Sequence, residues 1–155
     1  MTTHRHQILE KSAITIGYRL NYLVNFFIGP FYAELSQETG MARSEFVVLF
    51  CLEHVGPISA QEICEITGRP KNSISQAVTK LVKSGLIVRK ADAGDARRAI
   101  LKPTVAGKAL FQQVIPRFQK READMLSVLT EREKEQFEKL IGKLTLRTDN
   151  WERVY

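Results

Sequence analysis

The sequence predicts a mainly α-helical chain with one small β-hairpin. Three observations lead there. Apolar residues recur at helical spacing over most of the 155 residues. Only residues 86–102 show two short strand-like runs on either side of turn chemistry. Capping-box, glycine and proline patterns cut the remainder into helices of ordinary length.

Taken in order, residues 8–28 read as a long amphipathic helix. Ile16, Leu20, Leu23 and Phe27 form its stripe, widened by Tyr18, Tyr22 and Phe26. Gly29-Pro30 is expected to bend or end it, with helix resuming from Phe31 until Thr39-Gly40. Ser44 is the expected N-cap of a helix through His54, ended by Gly56-Pro57. Ser59 and Glu62 have capping-box spacing, so a short helix should run from 60 to about 67 and stop at Gly68. Pro70 suits the first turn of the next helix, which runs to about Ser84 and is closed by Gly85. Leu86 to Ala91 reads as a strand, Asp92-Ala-Gly-Asp95 as a turn, and Arg98 to Lys102 as the returning strand. Thr104 opens a helix to about Leu129, which Pro116 should kink or break. Thr130 and Glu133 form a second capping box before a helix bearing Phe137, Leu140, Ile141 and Leu144. Helix, short helix, helix and hairpin make a winged helix-turn-helix with long flanking helices.

Composition narrows the function. With 44% hydrophobic and 26% charged residues the chain can fold around a core, which argues against wholesale disorder. Two cysteines exclude a disulfide-dense scaffold. The polar start lacks the apolar stretch of a signal peptide, and the longest apolar run is Phe46 to Leu52, so no membrane span and a cytoplasmic location are expected. Twenty-three Lys/Arg against 17 Asp/Glu give a net +6. The segment from Arg69 to Lys102 alone carries nine Lys/Arg and two Asp, a net +7. Charge so concentrated suits a phosphate-binding surface.

A 100° turn per residue over 70–84 places Ile74, Ala77, Val78, Leu81 and Val82 on an inner face. Asn72, Gln76, Thr79 and Lys83 lie opposite, with Arg69, Lys71 and Lys80 nearby. Asn and Gln can pair bidentately with adenine, Thr offers a hydroxyl and a methyl, and Lys reaches guanine or phosphate. Ser73 and Ser75 can bond phosphate oxygens. At the hairpin tip, Arg97 can enter a narrow minor groove, held in position by Asp95. Arg98 and Arg89 would meet nearby phosphates.

Several of these residues carry a family resemblance. Ser44-Glu45-Phe46 with Val48 and Leu49, then Gly56, Ser59 and Glu62-Ile63, make the first part of the pattern. Lys71-Asn72-Ser73-Ile74-Ser75, the run from Leu81 through Gly85 to Arg89, the tip residues Asp92, Asp95, Arg97 and Arg98, and Thr104-Val-Ala-Gly107 complete it. The sequence resembles the MarR family of bacterial winged-helix transcriptional regulators over nearly its whole length, most strongly from 41 to 107. Pro103 departs from the apolar residue usual there and is expected to shorten the second strand. The resemblance implies one MarR-like domain over 1–155, with residues 41–103 binding DNA and residues 8–39 and 104–150 forming a helical dimerisation part. It implies a homodimer acting as a repressor on a pseudo-palindromic operator in double-stranded DNA, released by a small effector. Small anionic aromatics often serve in that family. Tyr18, Arg19, Tyr22 and Phe26 are candidates to face an effector, although packing is the weightier role for the aromatics, and the effector site stays unassigned. Terminal helices rich in Leu, Ile and Phe independently ask for a partner surface.

No catalytic machinery is visible: no phosphate-binding glycine loop, nucleophile elbow or HExxH occurs, so no enzyme activity and no cofactor are expected. His4, His6 and His54 do not make a metal site, and none is expected. Cys51, inside an apolar run, reads as an inert core residue, and Cys64 stands between Glu62 and Glu65, which should disfavour its thiolate. Two other uses of the chain remain. One is a winged-helix protein-interaction module whose +7 segment meets an acidic protein. The other is an oxidant-responsive regulator using Cys51 or Cys64, although the first-helix cysteine of the family's oxidant sensors is missing.

Overall fold

A computed structural model describes residues 3–91, 94, 99–148 and 151. Nine elements follow along the chain: α1 (Thr3–Lys11), α2 (Thr15–Thr39), α3 (Arg43–His54), α4 (Ala60–Thr67), α5 (Lys71–Lys83), β1 (Ile87–Ala91), β2 (Ala99–Pro103), α6 (Val105–Leu126) and α7 (Glu131–Thr145). This is the expected winged helix-turn-helix with helices before and after it. The chain divides into two units, Met1–Phe118 and Gln119–Tyr155.

The core of the first unit is apolar throughout. Leu35 from α2, Leu49 and Leu52 from α3, Ile63 from α4, Ile74 and Leu81 from α5, Ile87 from β1 and Leu101 from β2 are all essentially without exposure. Burying each such side chain stabilises by roughly 1.5–3 kcal/mol. An aromatic cluster extends it. The Phe31 ring meets that of Phe118 at 4.4 Å and that of Phe46 at 5.8 Å, and Phe46 stacks on Phe111 at 5.8 Å. These contacts tie α2, α3 and the first half of α6 together.

The α4 boundaries are those expected. The Ser59 hydroxyl accepts from the Glu62 N–H at 3.3 Å, and the Ser59 N–H donates to the Glu62 carboxylate at 2.7 Å. Gly68 leaves α4 at φ 64°, a left-handed conformation that costs a glycine little.

Other boundaries differ. The helix expected over 8–28 is two helices, because the Ser12 hydroxyl accepts the Ile14 N–H at 3.2 Å and competes with the helical ladder. The Gly29-Pro30 stop does not occur, since α2 runs through it to Thr39. Pro30 costs about 3 kcal/mol as a helix-interior residue. Phe31 and Leu35 just beyond it are buried, and their burial outweighs that cost only if the helix continues. Pro116 likewise lies inside a continuous α6 and does not break it. Both prolines are exposed, as is Gln112, four residues before Pro116, so water can meet the carbonyl group left without a donor there.

The N-cap of α3 is Ala42 and not Ser44, the helix starting at Arg43. Burial of Met41 sets the entry of the chain two residues earlier than the side-chain cap would. Pro70 is the N-cap of α5 and not a first-turn residue. Val82 remains 37% exposed, so the inner face of α5 is Ile74, Ala77, Val78 and Leu81.

Pro103 does not shorten β2. It is the last strand residue, opposite Ile87 in an antiparallel ladder that also pairs Arg89 with Leu101. The Leu101 N–H turns away from β1 and donates to the Ile58 carbonyl at 2.9 Å. Two residues further on, the Pro103 nitrogen faces the same outer side, where β1 asks for no donor.

At the base of the hairpin, three groups converge on Leu86. Its carbonyl accepts the Thr104 N–H at 3.0 Å, and the Thr104 hydroxyl donates to the adjoining Gly85 carbonyl at 2.7 Å with the Leu86 carbonyl 3.1 Å away. The same Thr104 oxygen accepts the Gly107 N–H at 3.1 Å and so caps α6. Gly107 is buried with the Leu86 carbonyl directly against it, leaving no room for a β-carbon.

In the second unit, a capping box of Thr130 and Glu133 starts α7 as expected, with the Thr130 N–H donating to the carboxylate at 2.8 Å. No residue of α7 is buried, and Phe137, Leu140 and Leu144 of its apolar stripe are 37%, 51% and 49% exposed.

The Gly107 contact yields a stability prediction. Gly107→Ala should destabilise the fold by about 1–3 kcal/mol, since backbone and not a yielding side chain opposes the new methyl group. Urea denaturation measures it; an unchanged midpoint would show that α6 can move off Leu86 at no cost.

Candidate nucleic-acid interface

The recognition surface follows from how α5 is mounted. Its inner face is anchored by Ile74, Ala77, Val78 and Leu81, each at most 1% exposed. With four side chains fixed over about two turns, rotation of the helix is fixed too. The outer face then presents Lys71, Asn72, Ser75, Gln76, Thr79, Lys80 and Lys83 to solvent. Ser73 and Arg69 are half-buried at the start of the helix. The sequence-predicted residues of α5 are therefore brought together on one polar row.

The Thr79 hydroxyl donates to the Ser75 carbonyl at 2.9 Å. Its oxygen still offers lone pairs outward, and its methyl group can meet a thymine methyl. Between α4 and α5 a shallow pocket is lined by Gln61, Cys64, Lys71, Asn72 and Ser75. Arg89 is exposed on β1. Asp95, Arg97 and Arg98 lie outside the described residues.

One functional neighbour was missed by sequence reading. Glu45, in the first turn of α3, is buried, and its carboxylate stands 3.4 Å from the Lys80 ammonium. Lys80 is 68% exposed and Glu45 only 10% by side chain. The pair joins α3 to the outer row of α5 and fixes the direction of one of its cations. An acid inside the apolar run after Ser44 was the available sequence signal, since a buried carboxylate needs a partner.

Cys51 is buried, and burial pushes its thiol up, away from thiolate chemistry. Cys64 is half-buried, and both cysteines are free thiols. Among the described residues no group of three His, Cys, Asp or Glu could hold a metal ion, and no helix is long and apolar enough to cross a membrane. Of the effector candidates, the rings of Tyr22 and Phe26 meet one turn apart at 4.5 Å in a tilted pair, Tyr18 is half-buried and Arg19 is exposed.

Comparison with known proteins converges on one family. A family model described as MarR family matches residues 39–98, the span from the end of α2 to the hairpin tip. The HTH-type transcriptional regulator MhqR of Bacillus subtilis (strain 168) is 31% identical over 107 residues, covering 69% of this chain and 74% of that protein. The uncharacterised HTH-type transcriptional regulator YcgE of the same organism is 25% identical over 142 residues, covering 92% of this chain and 90% of that one. Among solved structures, a mutant MarR from E. coli complexed with operator DNA superposes with a TM-score of 0.74 at 20% identity, covering 88% of this chain and 96% of that one.

The two cysteines should differ in reactivity. In the native Cys64→Ser variant, Cys51 should resist iodoacetamide until the protein is unfolded, as followed by intact-mass spectrometry. Rapid native labelling of Cys51 would contradict its placement in the core.

Proposed function

This chain belongs to the MarR family, and from that premise we propose that it is a homodimeric, sequence-specific transcriptional repressor acting on a pseudo-palindromic operator. The observation that carries the reading is the single polar row of α5, fixed by a fully buried apolar face and placed within the segment of net +7. Each dimer would lay two such helices in successive major grooves, about 34 Å apart.

Within each half-site, Asn72, Gln76 and Thr79 are the proposed base readers, with Lys80 reaching guanine or phosphate. Arg69, Lys71, Ser73, Ser75 and Lys83 would hold phosphates at and beyond the helix start, and Arg89 and Arg98 would do so beside the hairpin. Arg97, steadied by Asp95, is the proposed minor-groove residue. Operator DNA in the structure of the E. coli relative supports this use of the shared fold.

Homodimerisation is supported by apolar surface that water leaves unsatisfied. Ile16 and Leu23 on α2 are 71% and 43% exposed, and the α7 stripe is open as well. A small effector that releases the DNA, and action in the cytoplasm as a regulator without catalysis, complete the proposal.

Selection from a randomised duplex pool at about 0.15 M salt tests it, because non-specific binding is weak there. The expected product is an inverted repeat with half-sites one turn apart. Retention without a motif would reduce the reading to phosphate attraction, and no retention would favour a protein-interaction module. On the selected site, Gln76→Ala should cost about 1–3 kcal/mol and relax the sequence preference. Lys83→Ala should instead weaken all duplexes alike and lower the salt slope by about one. Equal losses on selected and random DNA for Gln76→Ala would remove its role as a reader.

A further inference from the structure

Arg43 stands over one phenol beside the recognition helix, the charge of Arg69 reaches the same phenol, and among the described residues neither arginine makes an ion pair. Arg43, the first residue of α3, holds its guanidinium carbon 5.5 Å from the centre of the Tyr32 ring. Tyr32 is itself fixed against the aromatic cluster, 5.2 Å from Phe31 and 6.0 Å from Phe46. Burial pushes the Tyr32 hydroxyl up, and the positive charges of Arg43 and Arg69 offset that only in part. Both cations therefore act on the same phenol, which stays protonated and able to donate at neutral pH.

The nearby acids are already engaged. Glu45 faces Lys80, and Glu34 and Glu38 both hold Arg117. Among the described residues neither Arg43 nor Arg69 makes an ion pair. The positive charges of both arginines act at that phenol without a counter-ion among the described residues, which favours an anion beside it. Guanidinium forks and a phenolic O–H are donors suited to a phosphate oxygen.

We infer that Arg43, Arg69 and the Tyr32 hydroxyl bind a backbone phosphate of the DNA at the edge of the α5 footprint. This rests on the DNA-binding reading above and extends the interface to α2 and α3. Position favours DNA as the source of the phosphate. Arg69 directly precedes the N-cap of α5, and the Glu45–Lys80 pair ties the same first turn of α3 to the outer row of α5. A duplex lying on that row passes the two arginines, whereas nothing encloses a free ion there: Arg43 is exposed.

The test compares wild type, Arg43→Gln, Arg43→Lys and Tyr32→Phe on the selected and on random duplexes across a salt series, with circular dichroism to check folding. Loss of one phosphate contact lowers the log–log salt slope by about 0.9, which corresponds to about fivefold weaker binding at 0.15 M salt. Arg43→Gln should show both effects equally on the two duplexes. Arg43→Lys should keep the slope, and Tyr32→Phe should weaken binding with the slope unchanged, since no charge is removed. DNA binding with an unaltered slope in Arg43→Gln overturns this contact and leaves the parent reading standing. Absence of duplex binding by the wild type overturns both. Replacing chloride by millimolar inorganic phosphate at constant ionic strength distinguishes the sources. A rise in Tm for wild type but not Arg43→Gln, together with an unaltered DNA slope, would make the cluster a free-phosphate site and overturn its assignment to DNA.

Discussion

The contact between Gly107 and the Leu86 carbonyl governs how the recognition helix and the hairpin are joined. Leu86 follows the Gly85 turn that ends α5, and its own N–H donates back to the Leu81 carbonyl at 2.9 Å. Its carbonyl then receives Thr104, the residue between β2 and α6. One residue, Leu86, thus links the end of α5, the start of β1, the end of β2 and the first turn of α6. Gly107 permits this because α6 passes with its backbone against that carbonyl, where any side chain would force the two apart. The hairpin cannot tilt relative to α5 without breaking these bonds. On the proposed function, a hairpin tip and a helix that enter adjacent grooves of one duplex need that fixed relation.

The second support is the aromatic cluster, and magnitudes explain its reach. Two proline residues sit inside long helices, each an expense of about 3 kcal/mol. Phe31 is buried one residue after Pro30, and Phe111 five residues before Pro116. Breaking α2 at Pro30 would pull Phe31 from contact with Phe46 and Phe118. Each large aromatic side chain contributes roughly 1.5–3 kcal/mol by burial, and aromatic pairs add about 0.5–1.5 kcal/mol. Several such contacts outweigh one lost helical hydrogen bond. Their consequence reaches function through α3, which carries Phe46 on one side and Glu45 toward α5.

The legible parts of the sequence were those with local causes. Both capping boxes, the stop at Gly68 and the hairpin followed from residues within four positions of one another, and the structure has them. The row on α5 was legible because a helical wheel needs only one segment. Failures have a common origin in tertiary contacts. Pro30 and Pro116 read as bends or breaks, and neither ends its helix, because propensity carries no knowledge of Phe31, Phe118 and Phe46. Ser44 looked like a cap until the burial of Met41 set the helix start. Pro103 looked disruptive because the outer direction of its nitrogen depends on Ile58, which pairs with β2 from across the helix-turn-helix. Glu45 offered only the signal of an acid in an apolar run, because its partner Lys80 meets it only after the chain has folded back.

That folding back gives the interface its electrostatic order. An exposed Lys keeps its freedom and serves chiefly as a diffuse attraction. Lys80 differs, since the buried Glu45 carboxylate has no other described partner within reach and holds the ammonium on one side of α5. A phosphate that takes Lys80 must leave Glu45 desolvated, which is costly for a carboxylate. Lys80 therefore favours an approach in which the pair stays intact and the ammonium uses its remaining donors. Among the described residues Arg43 and Arg69 make no ion pair, so a phosphate at the proposed contact would meet their charge without displacing an acid. Restrained cations set direction and unrestrained ones supply attraction. On the proposed contact the first turn of α3 serves both purposes, with Arg43 two residues from the Glu45 that holds Lys80 in the last turn of α5, so attraction and direction would act on one side of that helix.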